Sequence, residues 1–180
     1  VVKRKSPSTL AVAEQGLIDA AGDRYEVTVT KDCSSINATN LAKYDAVLFY
    51  TTGELPISEK NLEGLIDWVA RGGAFVGIHC ATDTLYEYAP YMDMIGGAFD
   101  GHPWHMDVSM VVEDEAHPST EHLGDTWELK DEIYQFKWFR RFPLHGLLHL
   151  SGTKADLSKG KREDQDYVTA WCKSWGEGRV

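Results

Sequence analysis

The chain has 180 residues, a formal charge of −10 and 43% apolar residues, enough for one domain with a real core and too little for two ordinary ones. No apolar run approaches the ~18 residues a membrane span requires, so a membrane is not a partner. The acidic residues are scattered and would repel a polyanion over most of the surface, so nucleic acid is not a partner either. The three cysteines, Cys33, Cys80 and Cys172, are odd in number and widely spaced, which excludes a disulfide framework and any CxxC metal signature and fits a reduced compartment. The first residue is Val1 and no apolar signal segment follows, which leaves the cytoplasm and the periplasm both open.

In chain order, Leu10, Ala13, Leu17 and Ala20/Ala21 recur at helical spacing and stop at Gly22, which predicts a helix. Tyr25, Val27 and Val29 alternate with Glu26, Thr28 and Thr30, which predicts a strand over 25–30. "AVLFY" (46–50) and "AFVGI" (74–78) are continuous apolar runs of the kind a strand buried on both faces shows. Between them Ser58 can cap a helix whose stripe is Leu62, Leu65, Ile66 and Val69 and whose end is Gly72-Gly73. Strand, helix and strand joined by connections too long for hairpins predict right-handed crossovers and a parallel sheet covered by helices. The second half reads differently. "DVSMVVED" (107–114), "DEIYQF" (131–136), "GLLHL" (146–150) and "YVTAWC" (167–172) are strand-like with little helical periodicity between them, which predicts added antiparallel strands. "SGTKADLSKGKREDQD" (151–166) reads as a mobile surface loop. The basic clusters at Lys3 to Lys5, Arg140-Arg141 and Lys159 to Arg162 read as solvated turns without a function.

In open α/β sheets, ligands bind beyond the carboxyl ends of the strands. The run "GIHCATDT" (77–84) places His79, Cys80, Thr82 and Asp83 at such an end. The plainer reading is a capped turn, with Thr82 or Asp83 as N-cap and His79 as an interior histidine. A second cluster, "GGAFDGHPWHMD" (96–107), gathers Asp100, His102, His105 and Asp107 around Phe99 and Trp104, more histidine and carboxylate than a solvated turn needs. "AHPST" (116–120) adds His117. In a strand, Glu132, Tyr134 and Phe136 share one face, with Asp131, Ile133 and Gln135 on the other.

The stretches "GGAFVGIHCATDT", "IGGAFDGHPW", "EDEAHPST", "DTWELKDEIYQF" and "AWC" resemble, in order and spacing, the ThuA-like family, named for trehalose utilisation, over roughly residues 25–175. The resemblance implies a class I glutamine amidotransferase-like fold with a flavodoxin-like open parallel sheet, helices on both faces and added antiparallel strands. It implies a role in bacterial carbohydrate use, on a disaccharide or its keto derivative, and one domain over 1–180. Relatives begin with a full strand, where this chain has only "VVKRKSPST" before its first helix, and continue into a final strand and Gly-His pair beyond Val180; the first and last strands are therefore expected to be lacking or truncated. The family motif places recurrent polar residues at His79, Thr82, Asp83, Asp100, His102, His117 and Glu132, with a small residue where Cys80 stands.

Four chemistries compete for these residues. Thiol catalysis needs a cysteine on a strained strand-to-helix elbow, yet His79 occupies that place and Cys80 follows one position later, so glutamine hydrolysis is disfavoured. Acid–base chemistry suits His79 or His102, with Asp83 and Glu132 orienting the base or binding hydroxyls, because histidine titrates near neutrality beside a carbonyl substrate. Trp104 and Tyr134 can stack on a sugar ring, with Thr82, Asp100 and His117 as further sugar contacts. A divalent metal such as zinc or manganese can take His102 and His105 with Asp100, Asp107 or Glu132, although the spacing matches no strong metal motif. The fourth reading is a non-catalytic carbohydrate-binding or assembly module on the same fold. A small sugar is the expected partner, and self-association stays open.

Overall fold

The structure is a computed structural model describing residues 7–180; the Lys3 to Lys5 cluster lies outside the described residues. The chain forms two compact units, one comprising Val1–Ile95 and Ser174–Val180, the other Gly96–Lys173.

The first unit opens with helix α1 (Pro7–Ala21). Of its expected stripe Ala13, Leu17 and Ala21 are half-buried, while Val12 and Ile18 are exposed. The strand expected over 25–30 does not form. Tyr25, Val27 and Val29 are 69%, 42% and 42% exposed, so the alternation is present without a covered face. A strand exists only where a neighbour takes its N–H and C=O groups, and no strand among the described residues runs beside this segment.

The strand–helix–strand reading that follows is what the structure contains. Helix α2 (Ala38–Leu41) is capped by Asn37, whose side chain accepts from the Asn40 N–H at 3.0 Å. Then come β1 (Ala46–Phe49), α3 (Glu59–Ala70) and β2 (Ala74–Gly77), with β1 and β2 parallel in the register Ala46↔Ala74 through Phe49↔Gly77. Ser58 caps α3 by accepting from the Asn61 N–H at 3.3 Å. Leu62, Leu65 and Val69 are buried along one stripe, each contributing about 1.5–3 kcal/mol relative to exposure. Two-sided burial is not reached along β1 and β2: Phe49 and Phe75 are enclosed, whereas Val76 is 43% exposed. The apolar run marks two apolar faces, and only one of them is fully covered.

After β2 the chain makes a short 3-10 turn, His79–Asp83, and helix α4 (Ala89–Ile95). Phe49, Phe75 and Tyr91 form an aromatic cluster with ring centroids 5.1 to 6.1 Å apart. Residues Ser174–Trp175 and Gly178–Arg179 return to the same sheet, and Gly178 passes so close to the end of α3 that an added Cβ would lie 1.9 Å from the Val69 carbonyl oxygen.

The second unit is antiparallel. Strand β3 (Ala98–Phe99) pairs with β6 (Phe136–Lys137). A four-stranded sheet has the order β5 (Thr126–Ile133), β4 (Trp104–Val112), β7 (His145–Leu150) and β8 (Val168–Cys172). The four strand-like stretches of the second half are therefore strands or parts of them. In the order along the chain, the last pair in the first unit is β9 (Ser174–Trp175) and β10 (Gly178–Arg179). The core of the second unit is Trp104, Val108, Met110, Val112, Ile133, Leu148, Leu150, Ala155 and Tyr167.

The 151–166 stretch is not the free loop expected. Ala155 and Tyr167 are each 2% exposed, the Trp104 indole N–H donates to the Asp156 carbonyl at 2.8 Å, and the Arg162 N–H donates to the Tyr167 hydroxyl at 3.0 Å. Polar composition conceals this, because the loop is held through its own backbone groups. The Arg140-Arg141 pair is likewise more than a solvated turn. Arg141 forms a bidentate pair with Asp166 at 2.6 and 2.7 Å and pairs through two nitrogens with Glu113. Glu113 also meets His149 at 2.8 Å, and His145 meets Asp114 at 2.9 Å. The Arg141 guanidinium holds the Glu113 and Asp166 carboxyls below their usual range. Lowered carboxylates stabilise the fold above their unfolded values and lose that contribution as the pH falls through the folded ones. Melting temperature should therefore fall more steeply between about pH 5 and 3 for the natural chain than for Arg141→Met, with a modest difference because solvent screens a half-exposed arginine. Parallel melting curves over that range would show that the cluster contributes nothing.

Candidate functional site

The turn after β2 is built by the aromatic cluster beneath it. The Tyr91 hydroxyl donates to the Ala81 carbonyl at 2.8 Å, and burial pushes the Tyr91 phenol up, which keeps it a donor. Gly77 fits closely here, since an added Cβ would lie 3.0 Å from the Ala81 Cβ and 3.1 Å from the Ile95 Cδ1. His79 takes φ +49, a left-handed backbone that costs a residue with a Cβ about 1–2 kcal/mol. Such strain persists where the surroundings over-determine it and concentrates at functional elbows. Thr82 and Thr84 then tie the turn to itself, donating to the His79 and Cys80 carbonyls at 3.1 and 2.9 Å.

Asp83 is a hub. Its Oδ2 accepts from the Thr52 hydroxyl at 2.7 Å, its Oδ1 accepts from Tyr86 at 2.8 Å, and its carbonyl accepts from the Gly53 N–H at 2.7 Å. Both carboxylate oxygens thus fasten the loop after β1 and the segment after the turn. Thr82 and Cys80 are each 8% exposed; Cys80 is packed as a small core residue. Neither Thr82 nor Asp83 caps a following α-helix, because both lie inside the 3-10 turn.

In the second unit the sequence-predicted residues divide by the pleat. His105 and Asp107 are exposed on β4, whereas Trp104 and Val108 face inward at 1% and 0% exposure. The Trp104 ring packs edge-on to Tyr167 at 4.7 Å. It is a core residue, so the expected sugar-stacking face of Trp104 is enclosed. Burial alternates as expected past β5, with Ile133 and Gln135 each 4% exposed and Glu132, Tyr134 and Phe136 half-buried on the other side.

His102, exposed at the turn before β4, lies against two rings: Phe99 at 6.0 Å and Tyr134 at 6.3 Å, both nearly parallel to it. Phe99 and Tyr134 touch each other at 4.3 Å. Beside this stack buried Gln135 holds three strands of chain together. Its backbone exchanges bonds with Asp100 and Gly101, its Nε2 donates to the Asp100 carbonyl at 3.0 Å, and its Oε1 accepts from the Lys161 N–H at 2.7 Å. The Lys161 ammonium consequently reaches Asp100, donating to Oδ1 at 2.8 Å and to the carbonyl at 3.2 Å. Gln135 and Lys161 were not legible as site residues. The only signal was the basic run at 159–162 in an acidic chain, which reads as solvent-facing. The exposed His102 imidazole lies two residues on from Asp100.

His117 stands on the connection after β4. Its Nδ1 accepts from the Ser119 N–H at 3.2 Å and its Nε2 lies 3.8 Å from the Cys172 sulfur, with the His145 ring 6.0 Å away. His105 lies directly opposite Glu132 in the β4–β5 register. No three histidine, cysteine or carboxylate side chains among the described residues gather closely enough to hold a metal ion. No helix among the described residues is long and apolar enough to cross a membrane.

Comparison with known proteins adds the following. The family model described as "ThuA: Trehalose utilisation" matches residues 3–180. No curated protein matches the chain. Two solved structures share the fold: a ThuA-like protein of Bacteroides uniformis (TM-score 0.75, 21% identity) and one of Parabacteroides merdae (TM-score 0.74, 14% identity). The matches cover 97% and 99% of this chain and 75% of each of theirs.

Proposed function

Since the chain belongs to the trehalose utilisation (ThuA) family, we propose that it acts on a small carbohydrate, a disaccharide or its keto derivative, by histidine and carboxylate acid–base chemistry. The observation that carries this reading is His102, an exposed imidazole laid on Phe99 and Tyr134 beside an Asp100 whose Oδ1 is tied to Lys161. In this mechanism, which needs the keto form of the sugar, the imidazole removes the proton from the carbon next to the keto group while the keto oxygen takes up a proton, giving an enediol; the imidazolium then returns its proton to the former keto carbon as the neighbouring hydroxyl loses its own, and the keto group ends one carbon along. The Asp100 Oδ2 accepts a substrate hydroxyl, and the Tyr134 ring takes an apolar face of the sugar. Glu132 and His117 are proposed as further hydroxyl partners in that unit. In the other unit His79 and Asp83 are the second candidate pair, with Thr82 beside them.

A second reading, a carbohydrate-binding or assembly module without chemistry, draws support from Asp83, whose two oxygens are engaged by Thr52 and Tyr86 as in a structural tie. Incubation with trehalose, sucrose and their keto forms, followed by NMR of the sugar, separates the two. A new sugar signal that grows with time is the expected result; saturable binding with no product would favour the module, and neither binding nor product would sink the carbohydrate reading.

A further inference from the structure

We propose that Trp138 is a carbohydrate-stacking platform that takes the apolar face of a pyranose ring, an inference that rests on the carbohydrate reading above and extends it to a place outside the His102 cluster. The residues on either side of Trp138 leave its side chain only one direction. Phe136 and Phe139 both turn inward and pack on Trp171, at 5.0 and 5.1 Å between ring centroids, and Lys137 is fixed in the β3–β6 ladder opposite Ala98. Trp138 is thereby held at φ +61 and projects outward, 66% exposed. A large aromatic in a left-handed backbone with most of its surface in water is disfavoured twice.

The immediate surroundings select the ligand. The Lys137 ammonium lies 4.7 Å from the centroid of the indole, Arg140 is exposed two residues on, and the exposed Phe142 follows on the same connection. An apolar protein surface docking here would draw these cations out of water at a cost. A pyranose has an apolar C–H face for the indole and a rim of hydroxyls for the ammonium and guanidinium donors, so it satisfies both. The connection is already ordered by Phe136 and Phe139, and a rigid aromatic loses little freedom on binding.

The test follows the Trp138 indole N–H signal by NMR, identified by its loss in Trp138→Phe, during titration with glucose, trehalose and sucrose, with calorimetry on the natural chain, Trp138→Ala and Trp138→Phe. The expected result is a saturable shift of that signal, about tenfold weaker binding in Trp138→Ala, and most of the affinity kept in Trp138→Phe at an unchanged melting temperature. Binding by the natural chain with the Trp138 signal unmoved and the alanine variant equally tight would overturn the platform and leave the carbohydrate reading standing. Failure of all three sugars to bind the natural chain would count against that reading and the platform together. A dimer in sedimentation that Trp138→Ala disperses would assign the ring to a protein interface instead, and would also overturn the proposal.

Discussion

Replacing His102 with alanine is expected to lower turnover on the sugar identified by screening by ~10²–10⁴ while leaving the melting temperature within a degree or two. The separation of the two effects follows from where the ring sits. His102 is exposed and lies on Phe99 and Tyr134 from outside, so its removal empties no core volume. Asp100→Asn keeps the shape of the Asp100 side chain but removes the charge that meets Lys161 and that the proposed mechanism offers to a substrate hydroxyl; it should weaken turnover too. If the two act as a unit, the double variant loses little more than the worse single one. A rate for His102→Ala within threefold of the natural chain would move the proton carrier elsewhere, with His79 the next residue to replace.

The parts of the fold that were readable are those whose boundaries carry local chemistry. Ser58, the stripe Leu62–Leu65–Val69 and the Gly72 turn define α3 without reference to anything distant, and β1 and β2 on either side inherit a parallel order from the length of that crossover. Residues 25–30 have equally clear alternation and form no strand, because alternation describes one partner of a ladder and says nothing of the other. The site divides in the same way. Histidines and aspartates in Gly-rich turns stand out by residue type, so His79, Asp83, Asp100 and His102 could be named. Gln135 and Lys161 could not, since an amide at a strand end and a lysine in a polar run look ordinary until the fold brings residues 100, 135 and 161 together. Trp104 shows the opposite error. Its company in "GHPWHMD" looks like a binding loop, yet it is the first inward residue of β4, and position in the pleat decides its role.

That position makes Trp104→Ala the largest stability effect expected in the chain. Trp104 is 1% exposed, packs edge-on to Tyr167 and lies in the cluster of Val108, Ile133 and Leu150. Truncation removes the buried area of an indole and leaves a cavity among strands that cannot close over it, a loss of about 3–5 kcal/mol, or roughly 10 °C in melting temperature for a chain of this size. Trp104→Phe fills most of the space but drops the bond to the Asp156 carbonyl, and should cost about 1–2 kcal/mol by leaving that acceptor unpaired. The loss should be felt along the 155–167 segment as well, raising its amide exchange, because Trp104 holds both ends of it through Asp156 and Tyr167. The same measurement addresses how the two compact units unfold. We propose that they melt together as one domain, so that calorimetry of Trp104→Ala shows a single transition displaced as a whole. A split trace, with one component at the natural temperature and the other lowered, would show instead that Gly96–Lys173 loses its core independently of the parallel sheet.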